Sequence, residues 1–234
     1  MLMDIFSSFD EQNFTILSSF PFIWTAGSLP LLILQSQYWL SSSRVLMMTL
    51  KPKSFMVTQI LRTSGKNLNG FINIMSGIFV MLIFINILGL LPYVFSLSSH
   101  LTFAFSFGAP LWLSLILSGI FFNFSSVISH LLPQGAPVFL SPFLVLVETV
   151  SISVRPVTLS IRLVANMSAG HIILGLVGAY LSVSIFVYSF FIILMLIMVE
   201  IFYFMFEIGV SMIQAYIFSL LITLYSEDHP MYYT

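Results

Sequence analysis

Apolar residues fill most of this chain, and its few polar interruptions cut it into pieces of membrane-spanning length. A helix needs ~20 apolar residues to cross the ~30 Å hydrocarbon core of a bilayer. Residues 16–34 fit one such span, and Pro21 and Pro30 within it predict a bent or ragged helix. Residues 41–66 differ in kind. Arg44, Lys51, Lys53, Arg62 and Lys66 interleave there with Val45, Leu46, Phe55, Met56, Ile60 and Leu61. That mixture predicts a partly amphipathic segment lying on one membrane face. By the positive-inside rule the face is cytoplasmic or matrix.

Between Asn67 and Val147 there is no Asp, Glu, Lys or Arg. Two spans are predicted in that window, 71–91 closed by Pro92, and 109–130 closed by Pro133, Gly135 and Pro137. The loop between them, YVFSLSSHLTFAFSFG, is too apolar to project far into water. Beyond Pro142 the only region resembling a break is GAYLSVS, residues 178–184. Two long helices are therefore predicted, 142–181 and 183–224. The first would run ~60 Å at 1.5 Å per residue, twice the core thickness. It must be steeply tilted, or broken at Arg155–Pro156. The predicted fold is an all-α polytopic membrane protein, one membrane domain over 1–234. It has an N-terminal transmembrane helix, an interfacial segment, two further spans and a hairpin of two long oblique helices.

Composition narrows the function. Hydrophobic residues make up 59% of the chain and charged residues 6%, against ~25% charged in an ordinary globular protein. So few charges cannot cover a soluble domain, and so much apolar surface cannot stay disordered in water. A net charge of −1 offers no basic footprint for nucleic acid. With no cysteine, disulfides, thiolate metal sites and cysteine nucleophiles are excluded. No GxxxxGK(S/T), HExxH or GxSxG pattern is present, so no enzyme in its own right, no cofactor and no metal are expected. The acidic start MLMDIFSSFDEQ, with Arg44 the first cation, resembles neither a signal peptide nor a transit peptide. Insertion is expected to depend on the first span, in a chain made inside the compartment whose membrane it enters. A bacterial protein with an uncleaved first helix fits that start equally.

The predicted hairpin carries Glu148, Arg155, Arg162, His171, Glu200 and Glu207. An ionised group at the centre of a span costs ~2.5–3.5 kcal/mol on insertion scales. Such groups face a partner, a cavity or water. Glu148, Arg155 and Arg162 are seven apart, and so are Glu200, Glu207 and Gln214, so each set forms one stripe on a helix face. Neighbours in a stripe stand ~10 Å apart along the axis, which argues against ion pairs within it. Polar glue between helices does not require groups that titrate. His171, nine positions after Arg162, falls on the opposite face. Arginine keeps its proton and histidine titrates near neutral pH. A fixed cation beside protonatable groups has the character of a proton path with a barrier in it. His100 and His130 sit at span ends as interfacial imidazoles, and SLSSH and SSVISH read as polar caps.

The segments SIRLVANMSAGH (160–171) and EIGVSMIQAYIFSLL (207–221) carry a family likeness, extended by NILGLLPY (86–93), PLW (110–112) and LPQGAPVFLSPFLVLVET (132–149). Across 86–225 the chain resembles subunit a of the proton-driven rotary ATP synthase, most of all the mitochondrially encoded animal form. The resemblance implies a proton-conducting stator subunit, multi-pass in the mitochondrial inner membrane. Its implied partners are the c-ring, the peripheral-stalk and small membrane subunits, the lipid bilayer and the transported proton.

It also implies roles. Arg162 matches the arginine facing the rotor carboxylates, and Asn166 a polar residue lining the nearby path. Glu148 matches the carboxylate of the matrix half-channel. His171 and Glu207 match the pair of the intermembrane-space half-channel, and Gln214 the glutamine opposite the arginine. Arg155 and Glu200 match no family role and are expected to be structural or water-facing. If Arg162 faces Gln214 and His171 faces Glu207, the midpoints of the two pairs are Tyr188 and Ser189. One hairpin register fits both, with a turn slightly later than GAYLSVS. A self-contained channel or transporter would show repeated halves with broken helices, whereas these halves differ in charge. A purely structural anchor predicts that alanine replacements of the charges cost assembly rather than flux.

Overall fold

A computed structural model describes residues 44–68, 70–91, 94–132, 139–187 and 189–227. The expected first span, 16–34, lies outside the described residues, as do 41–43 of the basic segment. The elements are α1 (Arg44–Ile60), α2 (Phe71–Gly89), α3 (Leu101–Phe122), α4 (Phe124–His130), α5 (Ser141–Val187) and α6 (Phe190–Tyr225). Among the described residues there is no strand. The chain is an all-α multi-pass membrane protein, and α2, α3, α5 and α6 are each long and apolar enough to span a bilayer.

The basic segment folds as α1 and packs onto the protein through a few apolar positions. Arg44, Lys51 and Lys53 are exposed, whereas Met56 and Ile60, one turn apart, are fully buried. They meet Phe71, Met75 and Phe79 of α2 and Phe218 and Ile222 of α6 in the main apolar cluster. A 3-10 turn at Ser64–Asn67 leads on to Gly70, whose φ of 81° is left-handed and starts α2 at no steric cost. Gly65 in that turn packs against Ser226, and Ser64 Oγ donates to the Ser226 carbonyl at 3.3 Å, tying the α1–α2 corner to the end of α6.

Where 109–130 was expected to form one span, the helix begins at Leu101 and ends before Asn123. LTFAFSFG, read as loop, carries no charge, is apolar apart from Thr102 and Ser106, and joins the helix, and Pro110 sits inside it at the loss of one backbone hydrogen bond. Asn123 is extended and accepts from Ser126 N through its side chain at 3.4 Å, capping the separate short helix α4. Nor are the serines of SLSSH surface caps. Leu97–Ser99 form a 3-10 turn in which Ser96, Ser98 and Ser99 are buried, with Ser96 Oγ and Ser99 Oγ 2.9 Å apart.

The hairpin helices are longer than expected. α5 holds 47 residues and α6 holds 36, or ~70 and ~54 Å at 1.5 Å per residue. Both exceed the ~30 Å core and must lie obliquely. α5 is unbroken at Pro156, so of the two alternatives the tilt applies. Ser160 Oγ donates to the Pro156 carbonyl at 2.8 Å and lies 3.4 Å from the Ala104 carbonyl, at a crossing lined by Ala104, Gly108 and Ser160. Small residues there let α3 and α5 approach closely. α5 also continues through GAYLSVS, where Ser182 Oγ bonds back to the Ala179 carbonyl. α5 ends at Val187, and Ser189 is extended and opens α6. That is the turn required by the expected pairings, not the one suggested by small residues.

Candidate functional site

The inner seam of the hairpin is polar. Asn166 Nδ2 of α5 donates to Gln214 Oε1 of α6 at 2.9 Å. Glu207, Ser211 and Gln214 are all buried, and their spacing puts them on one face of α6. Asn86 of α2 is buried against them and donates through Nδ2 to the Ser211 carbonyl at 3.2 Å. The Asn86 Oδ1 and Glu207 Oε1 atoms are buried and have no hydrogen-bond partner among the described residues. Asn86 was legible only as part of the NILGLLPY motif, although an amide deep in an apolar span is a signal in its own right.

Glu207 owes its position to Gly170. The carboxylate lies so close over that residue that a Cβ there would overlap it. Tyr203, one turn back along α6, lies on the same helix face beside it. His171 follows Gly170 directly, so both proton-active groups occupy one level of the seam. A Cβ at Gly89 would stand 4.0 Å from His171 Nε2 and 3.5 Å from Ser96, which sets His171 against the end of α2 and the buried serine turn. His100, expected as an interfacial imidazole, closes that turn and stacks on Phe95 with ring centroids 5.0 Å apart. For Gly170→Ala we expect the fold to survive, because the atoms displaced are the end of a flexible side chain. The Glu207 carboxylate is expected to leave the seam, and proton flux through the assembled complex to fall about tenfold or more, within the ~10²–10⁴-fold weight of a positioned proton-transfer group. Flux measured in vesicles at wild-type level would overturn that placement of Glu207.

The α5 stripe divides in two. Arg155 Nη2 lies 3.7 Å from Glu148 Oε1, the side chains being 28% and 40% exposed. The expectation that residues seven apart cannot pair is therefore wrong. It measured the axial rise and neglected the reach of two long side chains. The Arg155 guanidinium also stands 5.0 Å from the Tyr225 ring centroid, fastening the start of α5 to the end of α6. Arg162 stands apart from this arrangement. It is exposed on the outer face of α5, and its side chain has no ion pair or hydrogen bond among the described residues. Gln214, expected opposite it, is bonded to Asn166, one turn further on. Around Arg162 the outer face shows Val154, Val157, Ile161 and Ala165. Its hydroxyls turn back on the helix: Ser153 Oγ donates to Val150, Thr158 Oγ1 to Arg155 and Ser168 Oγ to Ala165, all at carbonyls.

A fixed cation thus faces outward and a carboxylate with an imidazole faces inward, on one pair of helices. No group of three or more metal-ligating side chains is found among the described residues. Comparison with known proteins gives consistent matches. The family model described as ATP synthase A chain matches residues 14–227. The chain is similar to "ATP synthase subunit a" of Locusta migratoria, 40% identical over 232 residues, covering 97% of this chain and 99% of that protein. It is similar to the protein of the same name from Drosophila melanogaster, 39% identical over 235 residues with 97% and 99% covered. The Apis mellifera ligustica protein of that name is 37% identical over 230 residues, with 97% of both chains covered.

Proposed function

The chain belongs to the ATP synthase A chain family, as a non-catalytic, proton-translocating membrane subunit of the ATP synthase, and we propose that its long hairpin carries two offset half-channels separated by Arg162. The observation that carries this reading is the split stripe. Glu148 and Arg155 neutralise each other within the chain, whereas Arg162 is exposed toward whatever lies outside α5. An exposed guanidinium in a membrane helix calls for an anionic partner, and a c-ring whose subunits carry carboxylates is the partner that fits.

Protons enter from the intermembrane space past His171 and Glu207, in the seam completed by Asn86, Asn166 and Gln214. They neutralise a rotor carboxylate, which can then move into lipid without the cost of burying a charge. After nearly a turn the carboxylate releases its proton toward the matrix near Glu148. Arg162 favours ionised rotor sites beside it and interrupts the proton wire. Each proton delivers ~2.3 kcal/mol per 100 mV, so several protons drive one ATP. The membrane is the mitochondrial inner membrane, with the exposed cations of α1 on the matrix side. Peripheral-stalk and small membrane subunits complete the surroundings.

The chain contains no cysteine, so single introduced thiols report water access cleanly. In assembled complexes, the thiol of Glu207→Cys is expected to react with a charged reagent supplied from the intermembrane space, and that of Glu148→Cys with one supplied from the matrix. Reaction of both from the same side would refute the two paths.

A further inference from the structure

Toward the tip of the hairpin α6 carries another carboxylate, Glu200, two turns before Glu207. It stands in a groove of about 230 Å³ whose other lining residues, Leu174, Ile197, Ile201, Phe204 and Met205, are all apolar. Across the seam from it is Gly178, where a Cβ would come within 3.9 Å of Glu200 Oε1. The other α6 carboxylate also lies over a glycine of α5, Gly170. The two glycines are eight apart and the two glutamates seven, so both pairs follow the same seam. Tyr203 lies between the carboxylates, three residues after Glu200 and four before Glu207.

Packing alone does not explain Glu200. A leucine would fill an apolar groove in a membrane helix without the ~2.5–3.5 kcal/mol insertion cost of a charge. Glu200 has no ion pair or hydrogen bond among the described residues. The groove has room for several waters, each taking ~30 Å³ in the liquid.

We propose that Glu200 is the outer proton collector of the intermembrane-space path, taking protons from water in the groove and passing them along the seam to Glu207. Glu200 and Glu207 are ~10 Å apart along the axis, so transfer runs through groove water and the Tyr203 hydroxyl. Each oxygen accepts one proton and releases another, so every O–H bond broken is replaced by one formed on the next oxygen, and no other reactant is needed. The titratable groups along this stretch are His171 from α5 and Tyr203 and Glu207 from α6. The inference rests on the two-path reading.

The test is proton-driven ATP synthesis in vesicles carrying the assembled complex, with the pH on the intermembrane-space side varied. A collector matters most where protons are scarce. Glu200→Gln is expected to slow synthesis about tenfold at alkaline external pH, less than the ~10²–10⁴-fold of a positioned proton-transfer group, because groove water can bypass it. The loss should shrink as the external pH falls, and Glu200→Asp should restore most of the rate. Normal synthesis by Glu200→Gln at every pH would overturn the proposal. So would a loss that is equal at every pH or that aspartate does not rescue, since a packing role predicts that pattern. Glu207→Gln serves as the control. If it too synthesises normally, the two-path reading has failed, and not only the role of Glu200.

Discussion

Replacing Arg162 by lysine is expected to abolish proton-driven ATP synthesis in complexes that still assemble. The exchange keeps a cation in water, but on the two-path reading the site is a membrane helix face next to a rotor carboxylate whose charge changes each cycle. A desolvated lysine can fall to a pKa of ~5–6, and its compact ammonium lacks the planar guanidinium fork. Such a lysine would pair tightly with the ionised rotor site and lose its proton beside the neutral one. Arg162→Ala removes the barrier itself. It is expected to stop synthesis as well, and to let protons leak between the half-channels without rotation. Assembly should survive both changes, because the Arg162 side chain is exposed and holds no hydrogen bond among the described residues. Proton flux and ATP synthesis measured on the same vesicles distinguish the two variants. Near-normal synthesis by Arg162→Lys would remove the central assignment.

The second large effect is expected at Glu207. Glu207→Gln keeps the shape of the side chain over Gly170, so the seam should stay packed. It removes the one titratable oxygen pair buried at the level of His171. Proton uptake from the intermembrane space should fall by ~10²–10⁴, the range for an essential proton-transfer group. Glu207 sits in the seam itself, and on the two-path reading every proton must cross it, so the loss should persist at every external pH, unlike that at Glu200. Full synthesis by the assembled variant across the pH range would sink the uptake role.

How far the sequence revealed this molecule depended on what kind of signal each part gives. Spans were legible because length and hydropathy alone define a membrane helix. The hairpin register was legible because two motif pairs share a midpoint near Ser189, where α6 begins. Which side of α2 turns inward was not legible. Lipid-facing and core-facing positions are both apolar in a membrane helix, so periodicity carries little information, and the burial of Asn86 followed from packing alone. The serine turn at 96–99 was misread because serine content signals surface in a soluble protein, whereas here three helices cover it. The Glu148–Arg155 pair was missed because axial spacing says nothing about how far side chains reach. The third helix was expected to begin at 109, yet it begins at Leu101 and holds Pro110 in its interior.

The outer face of α5 has a mechanical consequence. Around Arg162 it presents valine, isoleucine and alanine, and the hydroxyls of Ser153, Thr158 and Ser168 are bonded to the helix's own carbonyls. On the two-path reading a rotor slides past this surface and feels dispersion attraction worth ~0.1–0.2 kcal/mol per atom pair, and as one pair of atoms separates a similar pair comes together. No hydrogen bond has to break at each step. The surface therefore works as a bearing of low friction with a single electrostatic tooth, and the resistance that the rotor meets is concentrated where the proton's charge sets its direction.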